Sequence, residues 1–318
     1  MQKILVIRND RFGEFLLNIP ALRAVKESFP RAKVHVAVAA GVKELAAAVP
    51  FVDKVIVLLA EGQSPADLVK IVFQLRRERY DAAVVLNPAA RAHQLLWWAG
   101  IPLRVGYARK HPFFLTHTVD DVKALGRKHE VENNLDLIAL LGCRTKDTSL
   151  VIDVPAAVEA EVVRKWGLDP AALYVAVHPW TSDPVKQWLL GNFEHLVTRL
   201  AENSSRRVII IGRPESWHPS FSVPALPGII DLRGQTTLIE AAAILKHCAV
   251  LVSCDSGPVH LAASVGTPVV ALFRNDMPGK NPERWGPWPA AKHQVIQKLR
   301  IEDITVDDVL DKLRVFFE

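Results

Sequence analysis

The sequence is poor in cysteine, methionine and tyrosine, with 3, 2 and 3 of them in 318 residues. Cys143, Cys248 and Cys254 are odd in number and sit in apolar surroundings, with no C-x-x-C pair among them. That excludes a disulfide framework and a cysteine-based zinc site, and suits a reducing cytoplasm. No apolar run reaches the roughly 18 residues that a membrane-spanning helix needs. The opening MQKILVIRND has too short an apolar run for a signal peptide and no small-residue cleavage site, so it reads as a strand. No G-x-G-x-x-G follows that strand, no Walker motif occurs, and no His/Cys cluster has metal-ligand spacing. Dinucleotide, P-loop and metal-centre readings are weakened accordingly. Low-complexity tracts and internal repeats are also lacking.

What is present is enough apolar residue for two cores. Half the chain is hydrophobic, and 318 residues exceed the usual range of one domain. Strand candidates alternate with helical stretches: Lys3 to Arg8, Lys33 to Ala39, Lys54 to Leu58, Ala82 to Leu86 and Leu103 to Gly106 in the first half. Tyr174 to His178, Arg207 to Gly212, Val250 to Cys254 and Val269 to Phe273 form a second series. A loop is expected over Asn9 to Glu14 and then a helix to about Phe29, with Pro20 kinking the helix or marking a second start; further helices are expected over Pro65 to Glu78, Arg91 to Trp98 and His129 to Leu141. Others are expected near Asn192 to Glu202, over Leu238 to His247, and, as an amphipathic terminal helix, over Thr305 to Phe317. This alternation predicts an α/β protein with two parallel sheets covered on both faces. We place the domains at 1–156 and 157–318.

Charge divides unevenly. Residues 1–156 hold 22 Lys+Arg and 16 Asp+Glu, net +6, and residues 157–318 hold 17 and 18, net −1. A basic first half suits phosphorylated lipid, a membrane surface or nucleic acid. A solvated surface with scattered cations is the plain alternative.

The stretch LVSCDSGPVHLAASVGTPVVALF, Leu251 to Phe273, carries the most local information. A buried strand stops at Asp255-Ser256-Gly257, Pro258 sits where a helix begins, and Gly266 is placed to end that helix before a second strand. The free N–H groups of a helix start attract phosphate. Gly257 lets an anion approach the backbone, and His260, in the first turn, is positioned to donate to the same anion. In the plain alternative Asp255 and Ser256 cap the helix and His260 packs. Ligands of such sheets bind outside the carboxyl ends of the strands. The loops of interest are therefore Asn9 to Glu14, His178 to Ser182, Gly212 to Glu215 and Asp255 to Gly257.

Four segments, in order along nearly the whole chain, resemble the lipopolysaccharide heptosyltransferases, glycosyltransferase family 9. They are ILVIRNDRFGEFLLNIPALRAVKESFP, HPWTSDPVKQW, GRPE and DSGPVHLAASVGTPVVALF. The resemblance implies a GT-B fold, two Rossmann-like domains facing a central cleft. The first would bind acceptor and the second a nucleotide-sugar donor, with the terminal helix expected to cross back. It implies an inverting glycosyltransferase that needs neither metal nor cofactor. The donor would be ADP-heptose or a related sugar nucleotide, and the acceptor a lipopolysaccharide core or lipid A-type glycolipid, not nucleic acid. The enzyme would sit in the cytoplasm, peripheral on the inner face of the cytoplasmic membrane.

Inverting transfer needs a base for the acceptor hydroxyl and positive groups for the leaving diphosphate. The family's Asp after the loop glycine corresponds here to Glu14, one methylene longer, with Asp10 as the second candidate. The plain role of Glu14 is to favour a helix start. Lys186 is the expected diphosphate cation. Thr181 and Ser182 would hydrogen-bond phosphate oxygens, Glu215 the ribose, and Asp255 sugar hydroxyls. Trp180 or Trp188 would wall the site unless both are core. A sugar-nucleotide epimerase and a non-catalytic sugar-nucleotide or glycolipid binder remain the alternatives. The first needs no acceptor site, and the second is suggested by Glu14 in place of Asp.

Overall fold

The protein is described by a computed structural model, covering residues 1–58, 64–203, 205–215, 218 and 220–317, with backbone only at Pro65. It divides into two compact units, Met1–Ser149 and Leu150–Glu318. The division falls a few residues before the 156/157 boundary read from the sequence. The reason lies in the linker: Leu150 and Ile152 are buried, and the Ile152 N–H donates to the Ser264 carbonyl at 3.2 Å. The linker therefore packs as part of the second unit.

In the first unit the chain runs β1 (Lys3–Ile7), α1 (Phe12–Leu16), α2 (Ile19–Ser28), β2 (Lys33–Val38), α3 (Lys43–Ala47) and β3 (Lys54–Val57). It continues with α4 (Pro65–Glu78), β4 (Ala82–Val85), α5 (Ala90–Trp98), β5 (Leu103–Tyr107), β6 (His117–Val119) and α6 (Glu130–Ala139). The sheet order is β3-β2-β1-β4-β5-β6, with every pairing parallel. β1, flanked on both sides, is buried over Ile4–Ile7. A strand with both faces covered has no use for alternation, so KILVI is a near-continuous apolar run. Pro20 marks a second helix start: it lies in the first turn of α2, where its missing N–H costs nothing.

The second unit repeats the plan with α7 (Ala156–Trp166), β7 (Leu173–His178), α8 (Leu190–Ala201), β8 (Arg206–Ile210), β9 (Ile229–Asp231) and α9 (Leu238–Lys246). β10 (Cys248–Cys254), α10 (Gly257–Ser264), β11 (Val269–Arg274), α11 (Pro282–Trp285), β12 (Gln294–Lys298) and α12 (Val306–Leu313) complete it. Its sheet, β12-β11-β10-β7-β8-β9, is again parallel throughout. Both sheets thus have the doubly wound order 3-2-1-4-5-6, whose direction of winding reverses between the first and fourth strands. Gly266 ends α10 in the left-handed region at φ 84°, as the sequence suggested. The terminal helix packs on the core of the second unit. Val306, Val309 and Leu313 of α12 are buried in the same core cluster as Val250, Leu272 and Phe193. Its apolar face is spent there.

Strands β6, β9 and β12 have no counterpart in the sequence reading. β6 and β9 are three-residue edge strands without a buried residue, and β12 buries only Ile296. Edge strands of this kind lack the apolar run that marks a central one.

Candidate active site

In each unit the loops at the reversal point of the sheet are tied to one another by side chains. In the first unit these are the segments after β1 and β4. Asn87 Nδ2 donates to Asn9 Oδ1 at 3.2 Å, and Arg8 Nη1 donates to the Leu86 carbonyl at 3.2 Å. Arg8 is only 4% exposed, a costly place for a guanidinium unless it is paired. Its Nε lies 2.7 Å from Asp10 Oδ1 and its Nη1 3.2 Å from Glu130 Oε1. Burial works against its charge, but Asp10 and Glu130 outweigh that and hold its pKa above the ordinary value. Glu130, fully buried at the first position of α6, also takes Lys123 Nζ at 3.3 Å. Lys123 in turn lies 4.2 Å above the Tyr107 ring. Arg8, Lys123 and Glu130 were missed by sequence reasoning. Their partners are up to 122 residues away in the chain, so no local spacing could have singled them out.

This network separates the two candidate bases. Asp10 is engaged by Arg8. Glu14 lies in the first turn of α1 rather than in the loop, and is half-buried. Burial, with the negative charge of Asp10 beside it, pushes the Glu14 carboxyl above its ordinary value against the pull of Arg8 and Arg11. A carboxylate so placed is a better proton acceptor than an exposed one.

In the second unit the segments after β7 and β10 meet. Lys186 closes the short turn Pro184–Lys186, and its Nζ lies 2.6 Å from Asp255 Oδ2. Burial raises the Asp255 carboxyl and Lys186 opposes that rise. Asp255 Oδ2 is thus engaged by Lys186. Ser256 is the residue before α10, yet its side chain makes no capping bond. Its Oγ instead pairs with Ser253 Oγ at 2.9 Å and His178 Nδ1 at 3.3 Å. Neither side chain of the plain capping alternative makes a capping bond; Pro258 has no N–H, and the Val259 N–H donates to the Ser256 carbonyl at 3.1 Å, so an anion at this end would meet the Gly257 N–H and the positive end of the helix dipole. Pro258 sits in that first turn. Ser256, Gly257 and Pro258 are half-buried.

Other expected ligand residues have work in the fold. Thr181 is buried; its Oγ1 donates to the Asp255 carbonyl at 3.3 Å, tying the two loops. Trp180, 2% exposed, stacks on His218 at 5.9 Å and meets Phe221 edge-on. Trp188 is wholly buried, with Nε1 donating to the Ile304 carbonyl at 2.8 Å. Both tryptophans are core and neither walls a ligand site. His260 is buried in α10. Ser182 and Glu215 are exposed, and the Glu215 N–H donates to His218 Nδ1 at 2.8 Å. Gly212 has φ 114°, and a Cβ there would come within 2.5 Å of His178 Cδ2. The GRPE loop therefore needs glycine against His178. Two cations not foreseen stand around Lys186: Lys280, 2.7 Å from Asp183 Oδ2, and Arg274, whose Nη1 donates to the Val185 carbonyl at 2.5 Å.

The comparisons with known proteins agree with this geometry. The family model for glycosyltransferase family 9 (heptosyltransferase) matches residues 68–310, more than half the chain. Lipopolysaccharide heptosyltransferase 2 of Escherichia coli K12 is 24% identical over 299 residues, 88% of this chain and 85% of its own. Among solved structures, a family 9 glycosyltransferase from Veillonella parvula superposes with TM-score 0.85 at 20% identity, covering 99% of this chain and 97% of its own. The E. coli ADP-heptose lipopolysaccharide heptosyltransferase II gives 0.84 at 22% identity over 99% and 98%. The two parallel sheets are thus those of the GT-B fold, and the chain belongs to glycosyltransferase family 9, the heptosyltransferase family, and is a glycosyltransferase.

Proposed function

We propose that this enzyme moves a heptose, or a related sugar, from an ADP-activated donor to the lipopolysaccharide core or a similar glycolipid, with inversion and without a metal. The observation that carries the reading is the end of β10. There a strand runs straight into α10 with no side-chain cap, and Lys186 lies 2.6 Å from the carboxylate beside it. A cation next to a helix start that no side chain caps is what a departing diphosphate needs. The names of the E. coli relatives supply the sugar, the nucleotide and the acceptor class.

In this reading Glu14 takes the proton from the acceptor hydroxyl as that oxygen attacks the anomeric carbon. The bond from that carbon to the diphosphate breaks, and its electron pair leaves with ADP. Lys186 and the start of α10 hold the charge that appears on the diphosphate, doing the work a divalent ion does elsewhere. Asp10 keeps Arg8 satisfied and is not the base. Ser182 and Glu215, exposed in the same strand-end loops, contact phosphate and ribose. The acceptor is membrane-bound, and the net +6 of residues 1–156 draws the enzyme to the anionic inner face of the cytoplasmic membrane. Among the described residues no helix is long and apolar enough to cross one.

Incubation with ADP-heptose and candidate core acceptors tests the reading. Heptosylated acceptor and free ADP are expected. Isomerised sugar nucleotide without transfer would make the protein an epimerase, and binding without turnover would make it a carrier.

A further inference from the structure

The edge of the first sheet where its strands begin carries a patch that neither the core nor the candidate site uses. α4 buries Ile71 and Leu75 in the cluster that also holds Leu95 and Leu96. Its outward stripe should then be polar. Instead it presents Val69 and Phe73, one turn apart and 53% and 56% exposed, and runs on into exposed Arg76 and Arg77. α5 ends in the same way: Leu95 and Leu96 go inside, while Trp97 and Trp98 remain 50% and 41% exposed. Arg76 Nε donates to the Trp98 carbonyl at 2.9 Å, which joins the two helix ends. The Trp97 ring lies 5.5 Å from Phe114, which lies 4.3 Å from Phe113, itself 71% exposed. Each helix runs back to the start of the next parallel strand. The patch therefore lies at the opposite edge of the sheet from the loop that carries Glu14.

The charge of this region is net positive. Residues 64–117 hold 8 Lys+Arg and 3 Asp+Glu, a net of +5, equal to the formal charge of the whole chain. All three acids are engaged elsewhere. Glu78 pairs with Lys3 and Lys54, Asp67 with Ser64 and Lys70, and Asp81 accepts from the N–H groups of Gln2 and Lys3. Arg76, Arg77 and Arg79 stand outside those pairs.

We infer that this patch docks the enzyme on an anionic lipid bilayer, with Phe73, Trp97, Trp98 and Phe113 seated at the level of the headgroups and Arg76, Arg77 and Arg79 on lipid phosphates. Tryptophan favours that boundary because its ring is apolar and its N–H is polar. Arginine matches phosphate with a fork of donors. A second copy of the chain is a poor occupant, since a two-fold contact through this patch would set the arginine cluster near its own image. The inference deepens the proposed membrane-bound acceptor and rests on that reading for its purpose. It makes contact a matter of apolar seating as well as net charge, and it leaves the strand-end loops uncovered.

The test is flotation of the full chain with vesicles of phosphatidylcholine alone or mixed with phosphatidylglycerol. The variants are R76Q/R77Q/R79Q, W97Q/W98Q and F113S. Wild type is expected on the phosphatidylglycerol vesicles. The triple arginine variant should bind roughly a hundredfold more weakly, from about a fivefold factor for each cation near the surface. The tryptophan pair should bind about tenfold more weakly and lose quenching by brominated phosphatidylglycerol. Unfolding midpoints and ADP affinity near wild type would show that each variant is folded with its donor site intact. No wild-type binding, or variants that float like wild type, would overturn the inference. Concentration-dependent sedimentation abolished by F113S would assign the patch to a second copy instead. Vesicle binding needs no sugar donor, so failure of the transfer assay with flotation intact would count against the proposed reaction and not against the patch.

Discussion

Replacing Glu14 by Gln separates two roles that its position in the first turn of α1 permits. If Glu14 is the general base, Glu14→Gln removes the proton acceptor but keeps size and hydrogen bonding, and turnover should fall by roughly 10²–10⁴-fold. If it only favours the helix start, turnover should hold and stability should drop by about 0.3–1 kcal/mol. Stability tells these apart because the Glu14 carboxyl is pushed up by burial and by Asp10. A carboxylate with a raised folded-state pKa costs stability when it ionises, so that cost is absent at low pH and grows as pH rises through the ordinary carboxylate range. Near neutral pH the neutral Gln should therefore leave the protein as stable as wild type or slightly more so. Asp10→Asn should do the reverse: it weakens the 2.7 Å pair with buried Arg8 and should cost roughly 1–2 kcal/mol. Steady-state rates at saturating donor, ADP affinity by calorimetry and urea unfolding of both variants supply the measurements. A Glu14→Gln enzyme that turns over like wild type, or an Asp10→Asn enzyme that is stable but inactive, would refute the assignment.

Lys186→Ala should weaken ADP binding and transfer together, because the charge acts in the ground state as well as in the transition state. It should also lower stability by about 2–4 kcal/mol by leaving Asp255 buried without its cation; unchanged ADP affinity would argue against a role at the diphosphate. Transfer should persist in EDTA, and a rate that collapses and returns with Mg²⁺ would show that an ion and not Lys186 holds the leaving group. His178, held neutral with its pKa pushed down to about 3 by burial and by His218, should make the protein acid-sensitive. The unfolded chain takes up a proton below the ordinary value of 6.5 that the folded chain refuses, so stability is full above that value and falls as pH drops toward 3. At about pH 5 the loss amounts to about 2 kcal/mol. Thermal unfolding of His178→Gln should be flatter with pH than that of wild type, and parallel curves would count against it.

The sequence by itself determined the fold class and the ends of the central strands. KILVI, LYVAVH and CAVLVSC are covered on both faces by their neighbours, and so are written as apolar runs that end at a charged or turn-forming residue, Arg8, Pro179 and Asp255. Local chemistry was legible too, because Pro20, Pro258 and Gly266 act on their own backbone. Tertiary structure alone decided which strand-end loops meet. The order 3-2-1-4-5-6 places β1 beside β4 and β7 beside β10, and no spacing in the chain encodes that adjacency. It brings Arg8 to Glu130 across 122 residues, and Lys186 to Asp255. For that reason Glu14 was ranked before Asp10 by resemblance alone, and helix capping stayed open as the alternative for Asp255 and Ser256. Whether Trp180 or Trp188 was a ligand wall or core stayed open for a related reason. An indole beside a strand-end loop looks the same whether it faces a site or its own core, and only packing against His218 and Phe221 settles the direction.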